Sequence, residues 1–151
     1  METSMKTTTQ IKVRYGETDM MGIVYHANYL LYFEDARTDF LEKIGFPYER
    51  IEEAGYMCPI RNVEISYGAP LRYGEPAFVE TSVVENRATK TVYRQRVFHG
   101  EADPERDKPL ATALITCCMV ERSTFKPVSI KRVVPELHAL YDEIAEPSED
   151  A

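Results

Sequence analysis

Ala27-Asn28-Tyr29-Leu30-Leu31-Tyr32-Phe33-Glu34-Asp35-Ala36-Arg37-Thr38-Asp39-Phe40-Leu41-Glu42-Lys43-Ile44 is the stretch that decides the fold. Tyr29, Phe33, Ala36, Phe40 and Ile44 recur at steps of four and three, and Leu30 and Leu41 widen the stripe. Glu34, Asp35, Thr38, Asp39, Glu42 and Lys43 fall on the remaining arc. That period predicts an amphipathic helix of about five turns. Gly45 followed by Pro47 supplies its stop. An apolar stripe covering half the circumference demands heavy burial. Seven such side chains contribute on the order of 10–20 kcal/mol before chain entropy is subtracted.

Outward from the helix the period changes. On its N-terminal side, residues 10–15 alternate, with Ile11, Val13 and Tyr15 opposed to Lys12 and Arg14, a strand pattern. On its C-terminal side a turn-rich or helical piece, 48–55, precedes a series of strands. Val63, Ile65 and Tyr67 alternate with Glu64 and Ser66, and the run ends at Ala69-Pro70. Residues 77–85 and 91–99 form the next two strands, and an acidic loop at 101–109 leads to an apolar strand at 110–121. Pro135 to Ile144 reads as a short terminal helix. One long helix followed by four strands, without βαβ alternation, predicts an α+β fold with an antiparallel sheet curling around the helix. Such a sheet keeps a free face and free edges, so self-association is expected. No internal repeat interrupts the chain. The expected division is a flexible N-terminus at 1–9, one domain at 10–134, and a C-terminal helix with an acidic tail at 135–151.

Composition narrows the function. The 151 residues carry 18 Lys and Arg against 25 Asp and Glu, a formal net charge of −7, which argues against a general nucleic-acid binder. Five of the excess acids, Asp142, Glu143, Glu146, Glu149 and Asp150, lie in the tail; without them the charge is −7 + 5 = −2. No apolar run is long enough to span a membrane. The opening Met1-Glu2-Thr3-Ser4-Met5-Lys6 is polar, unlike a signal peptide, so the cytoplasm is the expected compartment. Three cysteines, Cys58, Cys117 and Cys118, make no closed disulfide set and no ligand-like spacing. Cys117 and Cys118 sit in an apolar run, where Cys behaves as a small hydrophobe.

The stretch with chemistry joins the first strand to the helix: Tyr15-Gly16-Glu17-Thr18-Asp19-Met20-Met21-Gly22-Ile23-Val24-Tyr25-His26-Ala27-Asn28-Tyr29. Asp19 is surrounded in sequence by Met20, Met21, Ile23 and Val24, and a carboxylate that loses hydration becomes a better base or nucleophile. Gly22 permits a tight turn back towards the helix. The helix start at His26 to Asn28 offers free amides and the positive end of the macrodipole, suited to a polarised carbonyl oxygen. Bland readings stand beside these. Asp19 also reads as a turn cap, His26 as a capping histidine, Asn28 as the helix N-cap, and Tyr25 and Tyr29 as packing.

Read as Y-x-x-T-D-x-x-G-I-V-Y-H-x-N-Y, the segment resembles the signature of the 4-hydroxybenzoyl-CoA thioesterase-like branch of the hotdog-fold thioesterases, to which the Tol-Pal-associated acyl-CoA thioesterases belong. The likeness continues through Tyr32 to Leu41 and Val63 to Pro70, covering roughly residues 10–125 in element order. The resemblance implies a long central helix wrapped by an antiparallel sheet, and a homodimer or homotetramer with active sites at subunit interfaces. It implies hydrolysis of acyl-CoA with no metal and no organic cofactor, coenzyme A being part of the substrate. Asp19 matches the family's catalytic aspartate, and His26 the helix-start position whose backbone N–H polarises the thioester carbonyl. Tyr25 joins them as a candidate. Members acting on aromatic acyl groups often carry Trp-Tyr-Pro before the Asn; here the residues are Tyr25-His26-Ala27, which leans towards an aliphatic or broad acyl range.

Coenzyme A brings phosphates that an acidic protein must meet locally. Arg87, Lys90 and Thr91, at a predicted strand connection, are the candidate phosphate ligands, against the reading of a merely solvated hairpin. A second basic stretch runs from Arg122 to Arg132. Two other functional classes fit the same fold: a non-hydrolytic scaffold for acyl-CoA or an acyl-carrier protein, and enoyl-thioester hydration.

Overall fold

A computed structural model describes residues 4–147. Its core is one long helix against a curved antiparallel sheet, the α+β hotdog arrangement expected from the sequence. Strand β1 (Thr7–Ile11) enters the sheet first. Helices α1 (Tyr29–Lys43) and α2 (Tyr48–Glu53) follow, and then strands β2 (Tyr56–Met57), β3 (Ile60–Tyr67), β4 (Ala77–Asn86), β5 (Thr91–His99), β6 (Ala111–Cys117), β7 (Met119–Glu121) and β8 (Pro127–Val128). Helices α3 (Ile130–Val133) and α4 (Pro135–Ile144) end the chain's described part. Five strands form the main sheet in the order β1-β4-β5-β6-β3, every neighbouring pair antiparallel. The short strands β2, β7 and β8 make a second, smaller sheet.

Helix α1 forms where the 3.6-residue period places it, opening with a 3-10 turn at His26–Asn28. Tyr29, Tyr32, Phe33, Ala36, Phe40 and Leu41 are its buried residues. Leu30, expected in the stripe, is 41% exposed, and Tyr32 takes a buried place instead. At the start of the helix the buried arc therefore extends to the Tyr32 side instead of the Leu30 side. At the C-terminus Gly45 adopts φ of +88°, which only glycine takes without strain. It lets Phe46 N–H reach Leu41 O and Gly45 N–H reach Glu42 O, a Schellman closure.

The inward face of β5 carries Tyr93, Gln95 and Val97, all buried. Gln95 is a polar residue at the centre of the core. Its amide donates to Phe33 O at 2.9 Å and Thr81 Oγ1 at 3.1 Å, while its Oε1 accepts from Arg37 at 3.0 Å. With those partners its burial costs little. The outward face of the same strand pairs Arg96 with Glu80 and stacks Phe98 on Phe78.

Several boundaries differ from expectation. Residues 7–9 belong to β1, in register with Val79 to Thr81 of β4, so the N-terminal piece is not free up to residue 9. The strand ends at Ile11, and Tyr15 is exposed in a 3-10 turn. The single strand expected at 110–121 is two, because the chain passes from the main sheet to the small one at Cys118. Helix α4 lies as predicted, but it is no loose appendage: Leu137, Tyr141 and Ile144 are buried in the core. Of the acidic tail, Glu146 pairs with Lys6 and Arg94, and Asp142 accepts from Asn86. Glu149 and Asp150 lie outside the described residues.

Candidate active site

The loop between β1 and α1 folds back on itself. Thr18 and Val24 form an isolated antiparallel bridge, closed by Asp19 N–H to Ile23 O at 2.9 Å and Gly22 N–H to Asp19 O at 3.0 Å. Gly22 turns the tip with φ of +78°. The returning strand is held to the segment ahead of β4, with Val24 N–H donating to Leu71 O at 2.8 Å and Ile23 bridging Arg72. Asp19 thus stands one residue beyond the bridge on the outgoing side, and His26 two residues beyond it on the returning side.

Asp19 is half-buried, and its Oδ1 accepts from Met21 N–H at 2.8 Å. The apolar surroundings expected around it are only partly built by this chain. Val24 is buried, but Met20 and Met21 point outward and are exposed. The carboxylate keeps access to solvent on that side.

His26 opens the helical turn. Its amide and that of Ala27 are the first two of the turn, so neither has an intrahelical acceptor, and none is found among the other described residues. These N–H groups are free donors at a helix start. The His26 ring lies 4.4 Å from the Tyr25 ring and 6.2 Å from that of Tyr67, and its carbonyl accepts from Tyr67 Oη at 2.9 Å. Tyr25 is exposed at the ring, with its N–H held by Glu17 O at 2.9 Å. Asn28 does not cap its helix through its side chain. Instead its Nδ2 donates to Glu17 O at 2.8 Å.

Glu17, Tyr32 and Tyr67 were not singled out from the sequence. The clue for Glu17 was present: a second acid two residues before Asp19, in a loop with no neighbouring base but Arg14.

The three candidate phosphate ligands are not with Asp19. They lie around the β4–β5 hairpin, at the end of β4 far from Ala77, whereas the Asp19 loop leaves β1 beside Ala77. At roughly 3.3 Å per residue the ten residues of β4 separate the two ends by about 30 Å within one chain. Arg87 and Lys90 reach the surface, each paired with Glu85. The Arg87 hydrogen bond holds the Glu85 carboxyl below its usual range. Thr91 is 2% exposed, its hydroxyl faces Asn86, and it borders the cavity on that side of the molecule.

A cavity of about 340 Å³ opens on the same half of the molecule as that hairpin, between α1, the segment before β3 and α4. Arg37, Leu41, Cys58, Ile60, Tyr93 and Tyr141 are among its walls, and the Tyr93 and Tyr141 hydroxyls meet at 2.6 Å. Among the described residues no group of three or more His, Cys, Asp or Glu is placed to hold a metal ion.

The sequence profile of the thioesterase-like superfamily matches residues 13–139. The chain is 39% identical over 135 residues to YneP of Bacillus subtilis, a candidate acyl-CoA thioesterase, covering 88% of this chain and 93% of the relative. It is 31% identical over 129 residues to the acyl-CoA thioesterase YbgC of Helicobacter pylori, covering 83% and 95%. The DHNA-CoA thioesterase of Staphylococcus aureus superposes with a TM-score of 0.83 at 32% identity, over 91% of this chain and 89% of that one.

Proposed function

The chain belongs to the thioesterase-like superfamily, and we infer that it is an acyl-CoA thioesterase, splitting its substrate into the free acid and coenzyme A with Asp19 as the acting carboxylate. The observation that carries the residue assignment is the bridged loop. It holds a solvent-accessible carboxylate and two free helix-start amides on the same fold of chain.

The chemistry follows from what these groups can do. The amides of His26 and Ala27 donate to the thioester carbonyl oxygen as negative charge builds on it. The Asp19 carboxylate attacks the carbonyl carbon or takes a proton from the water that does. The C–S bond then breaks, and coenzyme A leaves as a thiolate whose conjugate thiol has a pKa near 8.5, so no strong general acid is needed. Where Asp19 itself attacks, the product of that step is an acyl-Asp19 anhydride, and water then cleaves it to release the free acid and restore the carboxylate. The reaction as drawn uses neither metal nor organic cofactor. His26 serves through its backbone.

A second copy completes the reading. Strand β3 is an edge, and Ile60, Val63 and Tyr67 on it are exposed. Antiparallel pairing of two such edges would extend the sheet across a twofold axis and cover these side chains. It would bring the cavity beside Ile60 in one copy to the Tyr67 end of the other, and the hairpin cations Arg87 and Lys90 with it. A homodimer, or a tetramer built from two, fits that geometry. No helix of the described residues is long and apolar enough to cross a membrane. With three free thiols, the cytoplasm is the compartment this reading takes.

The test is thiol release from acyl-CoAs of graded chain length, with benzoyl and phenylacetyl forms included. Release from part of that panel is the expected result. Binding without release across the whole panel would favour a scaffold.

A further inference from the structure

We propose that Glu17 is a positioning residue that sets the distance between Asp19 and the helix-start amides. This rests on the thioesterase reading above and adds to it the part that aligns the site. In a loop whose neighbours Tyr15 and Met20 are exposed, the Glu17 side chain is only 13% exposed. Its Oε1 accepts from Arg14 N–H at 2.8 Å and from Tyr32 Oη at 2.9 Å. Its backbone carbonyl accepts from Tyr25 N–H at 2.9 Å and Asn28 Nδ2 at 2.8 Å. One residue therefore ties together the exit of β1, the buried face of α1 and the turn that presents the free amides.

The two kinds of bond act on different neighbours. Side-chain bonds to Arg14 and Tyr32 fix Glu17 against the helix. The carbonyl bonds then fix Tyr25 and Asn28, which flank His26 and Ala27, relative to Glu17. Asp19 follows by a single intervening residue, so its Cα has little freedom once Glu17 is set. Burial, reinforced by the Glu17 carboxylate, pushes the Tyr32 phenol above its ordinary range, so it remains a donor at every working pH.

The experiment compares Glu17→Gln and Glu17→Ala on whichever acyl-CoA the panel shows to be turned over. Gln keeps the Oε1 acceptor and should keep kcat within about threefold. Ala removes it, and kcat should fall about tenfold to a hundredfold, the scale of small misalignments, with KM within about twofold and the pH profile unchanged in shape. Tyr32→Phe, which deletes only the phenol donor, should fall part of the way and serves if the Ala variant does not fold. Hydrogen exchange of the 25–28 segment in the free protein should speed up in Glu17→Ala. That readout needs no turnover: a wild-type chain that releases no thiol fails the thioesterase reading, while exchange still judges the tether. Equal kcat in all three variants, a loss confined to KM or melting temperature, or Glu17→Gln as impaired as Glu17→Ala would overturn the assignment.

Discussion

The Tyr67 hydroxyl, on edge strand β3, donates to the carbonyl oxygen of His26 across 2.9 Å. That carbonyl and the N–H of Ala27 belong to one planar peptide unit, so holding the first aims the second. The edge strand thus reaches into the helix start and sets the direction of a free donor. Tyr67→Phe should lower kcat about fivefold, the worth of one hydrogen bond of about 1 kcal/mol, with melting temperature little changed. Steady-state kinetics and a thermal melt on the same preparation check it; an unchanged kcat would mean the amide is aimed by the helix alone.

Gln95 shows what a central polar residue does for the core. It joins Phe33 of α1, Thr81 of β4 and Arg37, tying helix to sheet at the middle strand. Gln95→Ala leaves both a void and partners without bonds. The expected loss is on the order of 3 kcal/mol by urea unfolding.

Asp39 gives the protein an acid-side dependence. Burial raises its carboxyl, but the bonds from Lys43 and Thr9 outweigh that, and the net direction is down. A carboxylate whose pKa is depressed by folding stabilises the protein above its unfolded value near 3.9, and that contribution disappears as pH falls through the folded value. Wild type should therefore exceed Asp39→Asn in stability at pH 7, and the two should converge as pH falls below about 4. Denaturant titrations at pH 7 and pH 3 compare them.

Cys58 and Cys117 should be quiet. Burial pushes the Cys58 thiol up to about 12 and the Cys117 thiol up to about 11. Against an ordinary thiol near 8.5, each should react with a thiol reagent at pH 8 at least about a hundredfold more slowly until the chain is unfolded. Timed labelling followed by peptide mapping reads this directly.

The sequence made α1 legible because its burial is set by one surface: a sheet presses on it, and every fourth or third side chain answers. The same reasoning does not separate Leu30 from Tyr32, since which flank of the stripe is covered depends on what packs against each end of the helix. Strand β1 was misplaced by a few residues because Thr7, Thr8 and Thr9 earn their strand through backbone pairing with β4, which leaves no apolar alternation to read. The break at Cys118 sits inside an unbroken apolar run, and only the change of sheet exposes it. Asp19 and the helix start were legible because motif and turn chemistry are local. The Glu17 bonds are not, spanning 11 residues to Asn28 and 15 to Tyr32.

Asp19→Asn is the variant that asks most directly whether this carboxylate does the chemistry. Asparagine keeps the Oδ1 that accepts from Met21 N–H, so the turn and the fold should survive. What it removes is the negative charge that attacks or deprotonates. Measured on a turned-over acyl-CoA, with the melting temperature as a control, kcat should fall about a hundredfold or more. A folded Asp19→Asn protein that retains full turnover would contradict the account.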